Sequence, residues 1–231
     1  MQALQVVEKN VAPKFVTLDR PVVRPGTLLV QIEACGLNFA DLLLIQGIYQ
    51  ETPCLPFTLG MELAGEVVAI GKGVRGHKIG TKVAVYSGQG GLAEYGVFSA
   101  KRCIKIPKSL SVVEAAGFQI AYGTSHIALD HRAQLKQGET LVVLGAAGGV
   151  GLTAVEIGKR LGARVIAVAR GDEKLTVASR AGADHVIDAD SGDLRGQIKS
   201  LGGADVVYDP VGGDQFLSLI HISEPTRPRL I

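Results

Sequence analysis

The residues best suited to chemistry are the glycines of segment 140–151, which reads TLVVLGAAGGVG. An apolar run typical of a buried strand leads into this glycine-rich turn, and an amphipathic segment typical of a helix follows it. Backbone N–H groups in such a turn, at the positive end of a helix, are suited to a pyrophosphate. The segment therefore predicts a dinucleotide site. The residues expected to bind the dinucleotide here are Ala147, Gly148, Gly149, Val150 and Gly151.

The spacing of the glycines gives each a separate task. It reads Ala146-x-Gly148-x-x-Gly151, with Ala in place of the usual first Gly. Gly148 would let the backbone approach the phosphates, and Gly151 would let the helix pack on the strand. The alternative is a strand–helix turn that is glycine-rich for structural reasons alone. The β-α-β pattern that follows favours the dinucleotide interpretation.

The end of the next strand indicates which nucleotide fits. An NAD site has an acidic residue there, about 20 residues after the glycines, to hold the ribose hydroxyls. This chain has Arg170 and then Lys174. Both cations could pair with a 2′-phosphate, so the sequence favours NADPH over NADH. The alternative is that both are solvated charges at a helix start, and the neighbouring Asp172 and Glu173 keep it open.

The two halves of the chain carry different patterns. Up to about residue 110, short β-patterned runs alternate with Gly/Pro turns, which predicts a small, mostly antiparallel barrel with one helix at 38–46. From Ser111, which forms a capping-box pattern with Glu114, strands and helices alternate and predict a parallel sheet. The fold class is thus α/β with an N-terminal β-rich domain. The predicted elements of the second half are helix 122–133, strands 140–145, 164–169, 185–188 and 204–209, and helices 149–161, 172–180 and 192–200.

Composition excludes several classes of function. The formal net charge is +2 and no long basic run occurs, which argues against nucleic acid as a partner. No apolar stretch reaches the roughly 18 residues of a membrane span, and the N-terminus lacks signal-peptide features. The cysteines, Cys35, Cys54 and Cys103, are widely spaced and favour reduced thiols. We therefore expect a cytoplasmic protein without a membrane partner.

Six motifs together resemble one family. They are CGLNFAD at 35–41, GIY at 47–49, LPFTLGMELAG at 55–65, GLAEY at 91–95, AYGTS at 121–125 and the glycine turn at 145–151. Up to about Phe216 the chain resembles the zinc-free quinone oxidoreductase branch of the medium-chain dehydrogenase/reductase superfamily. The resemblance implies a GroES-like barrel over 1–110 and a truncated Rossmann NADPH-binding domain over 111–216.

The same resemblance argues against a metal site. Zinc-dependent relatives have Cys where this chain has Asn38 and His where it has Met61, and they carry four close cysteines that are not found here. Asn and Met are poor zinc ligands. The chemistry then implied is metal-free hydride transfer from NADPH to an electron-poor small molecule, a quinone or an enone.

Three residues receive catalytic roles from the resemblance. Asn38 would lie near the nicotinamide and the substrate, and Thr124 would touch the nicotinamide amide. Tyr49 could hydrogen-bond the acceptor carbonyl, or it could be a core or rim aromatic. Asp41 would anchor the helix start near Asn38.

Residues 217–231 do not fit the pattern. They resemble the translation of a transposase adapter, so we expect an artefactual tail from about Leu217. Family members have six parallel strands in this domain and usually form homodimers. Since only four strands are predicted here, strand 204–209 would be an exposed edge. The chain is then expected to be unstable, to bind NADPH weakly and to have little activity.

Two other functions remain open. The chain could be a non-catalytic NADPH-binding protein, or an inactive truncated fragment of the enzyme. A metal-dependent alcohol dehydrogenase is disfavoured by Asn38 and Met61.

Overall fold

A computed structural model describes residues 1–213 and 229–231, which form two compact units, Met1–Ile120 and Ala121–Ile231. The predicted fold class is confirmed: the first unit contains antiparallel sheets, and the second contains a parallel sheet between helices. The division lies ten residues after the predicted boundary at 110.

The first unit is built mainly from strands. They are β1 (Gln2–Val6), β2 (Lys14–Thr17), β3 (Thr27–Gly36), β4 (Phe57–Thr58), β5 (Glu62–Ile70), β6 (Lys82–Tyr86), β7 (Tyr95–Ser99) and β8 (Cys103–Lys105). Its helices are α1 (Phe39–Gln46) and α2 (Val112–Ala116), with a 3₁₀ turn at Ala100–Arg102. One sheet has the order β2-β1-β4 and the other β7-β3-β5-β6-β8. The sequence did not predict β1, β2 or β4, because β2 is a largely exposed edge and β4 has two residues, too few to show a period.

The centre of the larger sheet is buried on both faces. Leu28 and Val30 on β3 and Val83 and Val85 on β6 are fully buried in one apolar cluster. The intervening Ala84 on β6 is buried in a second cluster, so this part of the strand shows no alternation of buried and exposed residues.

The packing of helix α2 explains why the first unit extends beyond residue 110. The predicted capping box is confirmed: the Ser111 N–H donates to Glu114 Oε2 at 2.8 Å, and the Glu114 N–H donates to Ser111 Oγ at 3.2 Å. Ala115 and Ala116 pack against Ala64 and Ala84 in one buried cluster. Because these small side chains allow close packing, α2 belongs to the first unit.

The second unit alternates strands and helices. The strands are β9 (Thr140–Leu144), β10 (Arg164–Ala169), β11 (His185–Asp188), β12 (Val206–Tyr208) and β13 (Arg229–Leu230). Helix α3 (Phe118–His126) begins in the first unit and continues into the second; the other helices are α4 (Gly149–Arg160), α5 (Asp172–Arg180) and α6 (Leu194–Ser200), with a π-helical turn at Ile127–Arg132. Helix α3 starts four residues before the predicted Tyr122.

Both faces of the parallel sheet are buried. On β9, Leu141 and Val143 belong to one apolar cluster, whereas Val142 and Leu144 belong to another. Strand β10 divides in the same way, and this two-sided burial is why its sequence shows a continuous apolar run.

The edge of this sheet differs from the prediction. The order is β11-β10-β9-β12-β13, so β12 is not an edge strand, and the expectation of an exposed edge there is wrong. The N–H of Arg229 donates to Asp205 O at 2.9 Å, and that of Ile231 donates to Val207 O at 3.1 Å. A strand edge offers unpaired backbone groups to any segment that reaches it, and 229–230 pairs there although its sequence shows no strand period. The rest of the predicted tail, 217–228, lies outside the described residues.

None of the helices in the described parts of the chain is long and apolar enough to cross a membrane.

Candidate cofactor and substrate site

The glycine turn of the second unit has the geometry of an anion cradle. Gly148 is the N-cap residue of α4, its N–H donates to Gly145 O at 2.9 Å, and no side chain caps the helix. Gly148 and Gly149 are exposed, and a Cβ at Gly149 would meet no atom within 4 Å. The first turn of α4 contains no acidic residue. Its leading N–H groups and the positive end of the helix dipole therefore face open space.

Gly151 has the packing task that the spacing predicts. A Cβ at this position would lie 2.2 Å from Gly145 O and 2.9 Å from Ala146 Cα, both backbone atoms. Only glycine lets α4 approach the end of β9 this closely. The structure thus agrees with the spacing: Gly148 is exposed, and Gly151 is packed against the end of β9.

A buried hydroxyl network supports the cradle from below. Ser125 Oγ, which is fully buried, donates to Val150 O at 2.7 Å and lies 2.8 Å from Thr153 Oγ1. Thr153 Oγ1 in turn donates to Ala121 O at 3.0 Å. These bonds tie α3 to the first turn of α4. Sequence reasoning missed Ser125 and Thr153, although Ser125 stands inside the AYGTS motif.

The predicted Thr124 lies on the exposed side of α3. With Val150, Tyr208 and Asp209 it lines a cavity of about 510 Å³ in the second unit. The structure therefore brings one predicted catalytic residue and one predicted cofactor residue to the same cavity.

The two predicted cations lie at and after the end of β10, and both are exposed. Arg170 Nε lies 3.4 Å from Asp190 Oδ1, an ion pair whose two side chains are 68% and 69% exposed. Such an exposed pair contributes little, so Asp190 leaves Arg170 available to a competing phosphate. The sequence had named Asp172 and Glu173 as the nearby acids, whereas Asp190 from the loop after β11 makes the contact.

In the first unit, Asn38 makes hydrogen bonds through both its backbone and its side chain. It is the N-cap residue of α1, and its N–H donates to Asp41 Oδ2 at 2.9 Å. Asp41 also accepts from the Gly60 N–H at 3.3 Å, which agrees with its predicted anchoring role. The Asn38 Nδ2 donates to Glu62 Oε1 at 3.0 Å. Burial raises the pKa of Asp41, and the N–H groups of Asn38 and Gly60 oppose that rise.

In the first unit, sequence reasoning overlooked Glu62. It is 2% exposed, and its second oxygen accepts from the Ile120 N–H at 2.9 Å. A signal was present, since Glu62 is the one charged residue in the apolar segment LGMELAG at 59–65.

Cys35 lies close to the carboxylates of Asp41 and Glu62, and its thiol is not suited to act as a nucleophile. Burial first, and then the charges of Asp41 and Glu62, raise its pKa to about 12. The thiol therefore stays protonated at neutral pH.

Tyr49 packs partly buried against the apolar cluster of Leu44, Phe57 and Met61. Burial, followed by Tyr86 and Glu51, raises the pKa of its phenol, which stays a neutral donor at neutral pH. Both interpretations of Tyr49, donor and packing aromatic, are compatible with this position. Met61 is 3% exposed, and among the described residues no group of three or more His, Cys, Asp or Glu side chains could hold a metal ion.

Comparison with known protein families gives two matches. Residues 24–108 match the alcohol dehydrogenase GroES-like domain, and residues 149–226 match the family described as zinc-binding dehydrogenase. The second match begins at Gly149, so it includes the last three residues of the glycine turn and α4.

Two named relatives illustrate the resemblance to whole proteins. The chain is 42% identical over 205 residues to quinone oxidoreductase-like protein 2 of Bos taurus, covering 87% of this chain and 58% of that protein. It is 35% identical over 207 residues to the synaptic vesicle membrane protein VAT-1 homolog of Mus musculus, covering 89% and 51%. The chain thus spans little more than half the length of these relatives.

Solved structures agree with these matches. The quinone oxidoreductase of Thermus thermophilus, also determined with NADPH, aligns with a TM-score of 0.85 and 32% identity over 96% of this chain and 70% of that chain. The Escherichia coli quinone oxidoreductase complexed with NADPH aligns with a TM-score of 0.89 and 29% identity, covering 95% and 69%. This chain belongs to the quinone oxidoreductase-like family of the medium-chain dehydrogenase/reductase superfamily.

Proposed function

We propose that this protein binds NADPH at the glycine turn and reduces a quinone or an enone by metal-free hydride transfer. The observation that carries the proposal is the open N-terminus of α4, where Gly148 and Gly149 are exposed and a Cβ at Gly149 would meet nothing. That space fits a pyrophosphate, which the backbone N–H groups and the helix dipole would bind. The solved Thermus thermophilus and Escherichia coli relatives contain NADPH.

The reduced nicotinamide, when bound, supplies the hydride; the residues of this chain bind and orient the reactants. Ala147, Gly148, Gly149, Val150 and Gly151 would hold the diphosphate. Arg170 and Lys174 would bind the 2′-phosphate, with Arg170 exchanging its exposed contact to Asp190 for the phosphate.

The catalytic assignments belong to the same proposal. Thr124 would contact the nicotinamide amide, Asn38 would contact the reactants, and the neutral phenol of Tyr49 would donate to the acceptor carbonyl. Electron-poor quinones and enones suit such a site, because their own carbon skeleton takes up the negative charge. The homodimer, the cytoplasmic location and the two domain boundaries near 110 and 216 stay predictions.

A binding titration tests the cofactor. NADPH and NADH are titrated into the 231-residue chain by fluorescence, with Arg170→Ala/Lys174→Ala as the test variant and Arg180→Ala, at the far end of α5, as the control. Because the variant loses charge-assisted bonds to the 2′-phosphate, its affinity for NADPH is expected to fall about tenfold or more relative to wild type. Its affinity for NADH, which has no 2′-phosphate, should stay within about twofold of wild type. If the affinities for NADPH and NADH fall equally, or if neither falls, Arg170 and Lys174 are solvated surface charges and do not bind the 2′-phosphate.

An absorbance assay tests the reaction. NADPH oxidation is followed at saturating NADPH with a quinone and an enone, using wild type and Tyr49→Phe. Oxidation that depends on the acceptor and slows in Tyr49→Phe supports the reductase. Bound NADPH that no acceptor oxidises would support the non-catalytic NADPH-binding alternative instead.

A further inference from the structure

A buried hydroxyl group joins α3 to α4. Of the nine residues of α3, all of which lie in the described part of the chain, only Ser125 is buried, and it is fully buried. Its Oγ donates to Val150 O at 2.7 Å and lies 2.8 Å from Thr153 Oγ1. The hydroxyl oxygen of Tyr208 on β12 lies 3.4 Å from the same atom. A single side chain of α3 thus meets both α4 and the parallel sheet.

The residues next to this hydroxyl group are among those proposed to bind the cofactor. Thr124 precedes Ser125 in the chain, so their Cα atoms lie about 3.8 Å apart. Val150 is the second residue of α4, which begins at Gly149. Thr124 and Val150 line the same cavity of about 510 Å³. Ser125 is therefore one peptide bond from Thr124 and one hydrogen bond from the first turn of α4.

The glycine turn has its own contacts, which do not involve α3. Gly151 packs against the backbone of Gly145 at the end of β9. The Gly148 N–H donates to Gly145 O at 2.9 Å, and the Leu152 N–H donates to Gly148 O at 2.7 Å. These contacts fix the leading N–H groups of α4 relative to the sheet. Loss of the Ser125 hydroxyl should therefore displace α3 and leave those N–H groups in place.

We propose that Ser125 is a positioning residue, which sets the spacing between Thr124 and the first turn of α4 so that one NADPH molecule contacts both. This inference rests on the proposed function, in which Thr124 contacts the nicotinamide amide and the glycine turn binds the diphosphate. These two groups of the cofactor are joined through one ribose, which limits how far apart they can lie. Ser125 then governs how tightly the nicotinamide half binds, and the adenosine half binds independently of it.

The substitution Ser125→Ala tests this division with two ligands, each titrated by calorimetry. NADPH carries the nicotinamide, whereas 2′-phospho-ADP-ribose keeps the diphosphate, both riboses and the 2′-phosphate but lacks the nicotinamide. The matched control is Ser179→Ala, which changes an exposed serine near the far end of α5 and should alter neither affinity.

The expected result is a loss confined to the ligand that carries nicotinamide. Because one hydrogen bond to the nicotinamide amide is misplaced, the affinity of Ser125→Ala for NADPH should fall about fivefold relative to wild type. Its affinity for 2′-phospho-ADP-ribose should stay within about twofold of wild type. If both affinities fall equally, Ser125 has only a structural role, and if neither falls it has no effect on the site; either result would overturn the proposal.

A double-mutant cycle shows whether Ser125 acts through Thr124. Thr124→Ala removes the side chain that Ser125 is proposed to position, and NADPH affinity is measured for both single variants and for the double variant. If Ser125 acts through Thr124, adding Ser125→Ala to Thr124→Ala should change the affinity for NADPH by less than about twofold. Losses that add in full in the double variant would mean that the two residues act separately, and the positioning role would be wrong.

The two proposals fail in different ways. If wild type binds neither ligand, the proposed function is lost and the role of Ser125 is lost with it. If wild type binds both ligands but the cycle is additive, only the role of Ser125 is lost. If Ser125→Ala does not fold, Thr153→Val takes its place, because Thr153 Oγ1 donates to Ala121 O of α3 at 3.0 Å and so also joins the two helices. A loss of affinity for NADPH alone then supports the proposal, and an equal loss for both ligands, or no loss, refutes it.

Discussion

Replacing Gly151 by Ala should disrupt the contact between α4 and the end of β9. The added Cβ would lie 2.2 Å from Gly145 O and 2.8 Å from Gly145 C. Ordinary non-bonded atoms stay about 3.5 Å apart, so the turn would have to move by roughly 1.3 Å. Overpacking of this kind costs about 1–3 kcal/mol, and the upper end applies because backbone cannot rotate away.

Two other glycines of α4 supply a graded series. A Cβ at Gly158 would lie 2.6 Å from Leu141 Cδ2, a side-chain atom that can rotate, so Gly158→Ala should cost less. A Cβ at Gly149 would meet no atom within 4 Å, so Gly149→Ala should leave stability unchanged or raise it by about 0.4–1 kcal/mol.

Thermal unfolding followed by circular dichroism measures the series. For a chain of this size about 3 kcal/mol corresponds to a drop in Tm of roughly 6–12 °C, which is expected for Gly151→Ala. Gly149→Ala should instead lose NADPH affinity, since its methyl group occupies the space proposed for the pyrophosphate. A Gly151→Ala protein that melts within about 2 °C of wild type would refute the close approach on which this reasoning depends.

Three further outcomes are expected. Ser125→Ala, which removes a fully buried hydroxyl beneath α4, should lower the free energy of unfolding by about 1–3 kcal/mol in urea titrations, whereas an unchanged midpoint would mean that its hydrogen bonds are dispensable. In native protein a thiol reagent should label the exposed Cys54 rapidly, the half-buried Cys35 more slowly and the buried Cys103 only on unfolding, as mass spectrometry would show; early labelling of Cys103 would contradict its burial. Burial raises the pKa of Cys35 to about 12 and of Cys103 to about 11, so both stay protonated in the folded state while the unfolded chain ionises near pH 9. Stability should therefore fall as pH rises above about 9, and Cys35→Ala should flatten that fall in chemical denaturation measured from about pH 8 to 11.

Much of the second unit could be predicted because its signals are local. The run of β9, the glycines after it and the alternation of strand and helix depend on residues close together in sequence. The capping box of Ser111 and Glu114 was predictable for the same reason. Strands β1, β2 and β4 were not, because pairing with another strand, and not their own periodicity, makes them strands.

The site was predictable in residue type and less so in contacts. Asn38 and Asp41 were found together because one motif contains both. The bond from Asn38 to Glu62 joins residues 24 positions apart, and that of Arg170 to Asp190 joins residues from two different loops. Such pairs depend on how strands and loops that are far apart in sequence come together in the fold, so no local sequence pattern predicts them.

Strand β9 separates two apolar layers, with even-numbered residues on one side and odd-numbered residues on the other. A single deletion within it would exchange the two sets and shift the glycine turn to the opposite side of the sheet. A conservative replacement at any one position would disturb one layer only. The number of residues between Thr140 and Gly145 is therefore under tighter physical constraint than the identity of any apolar residue among them.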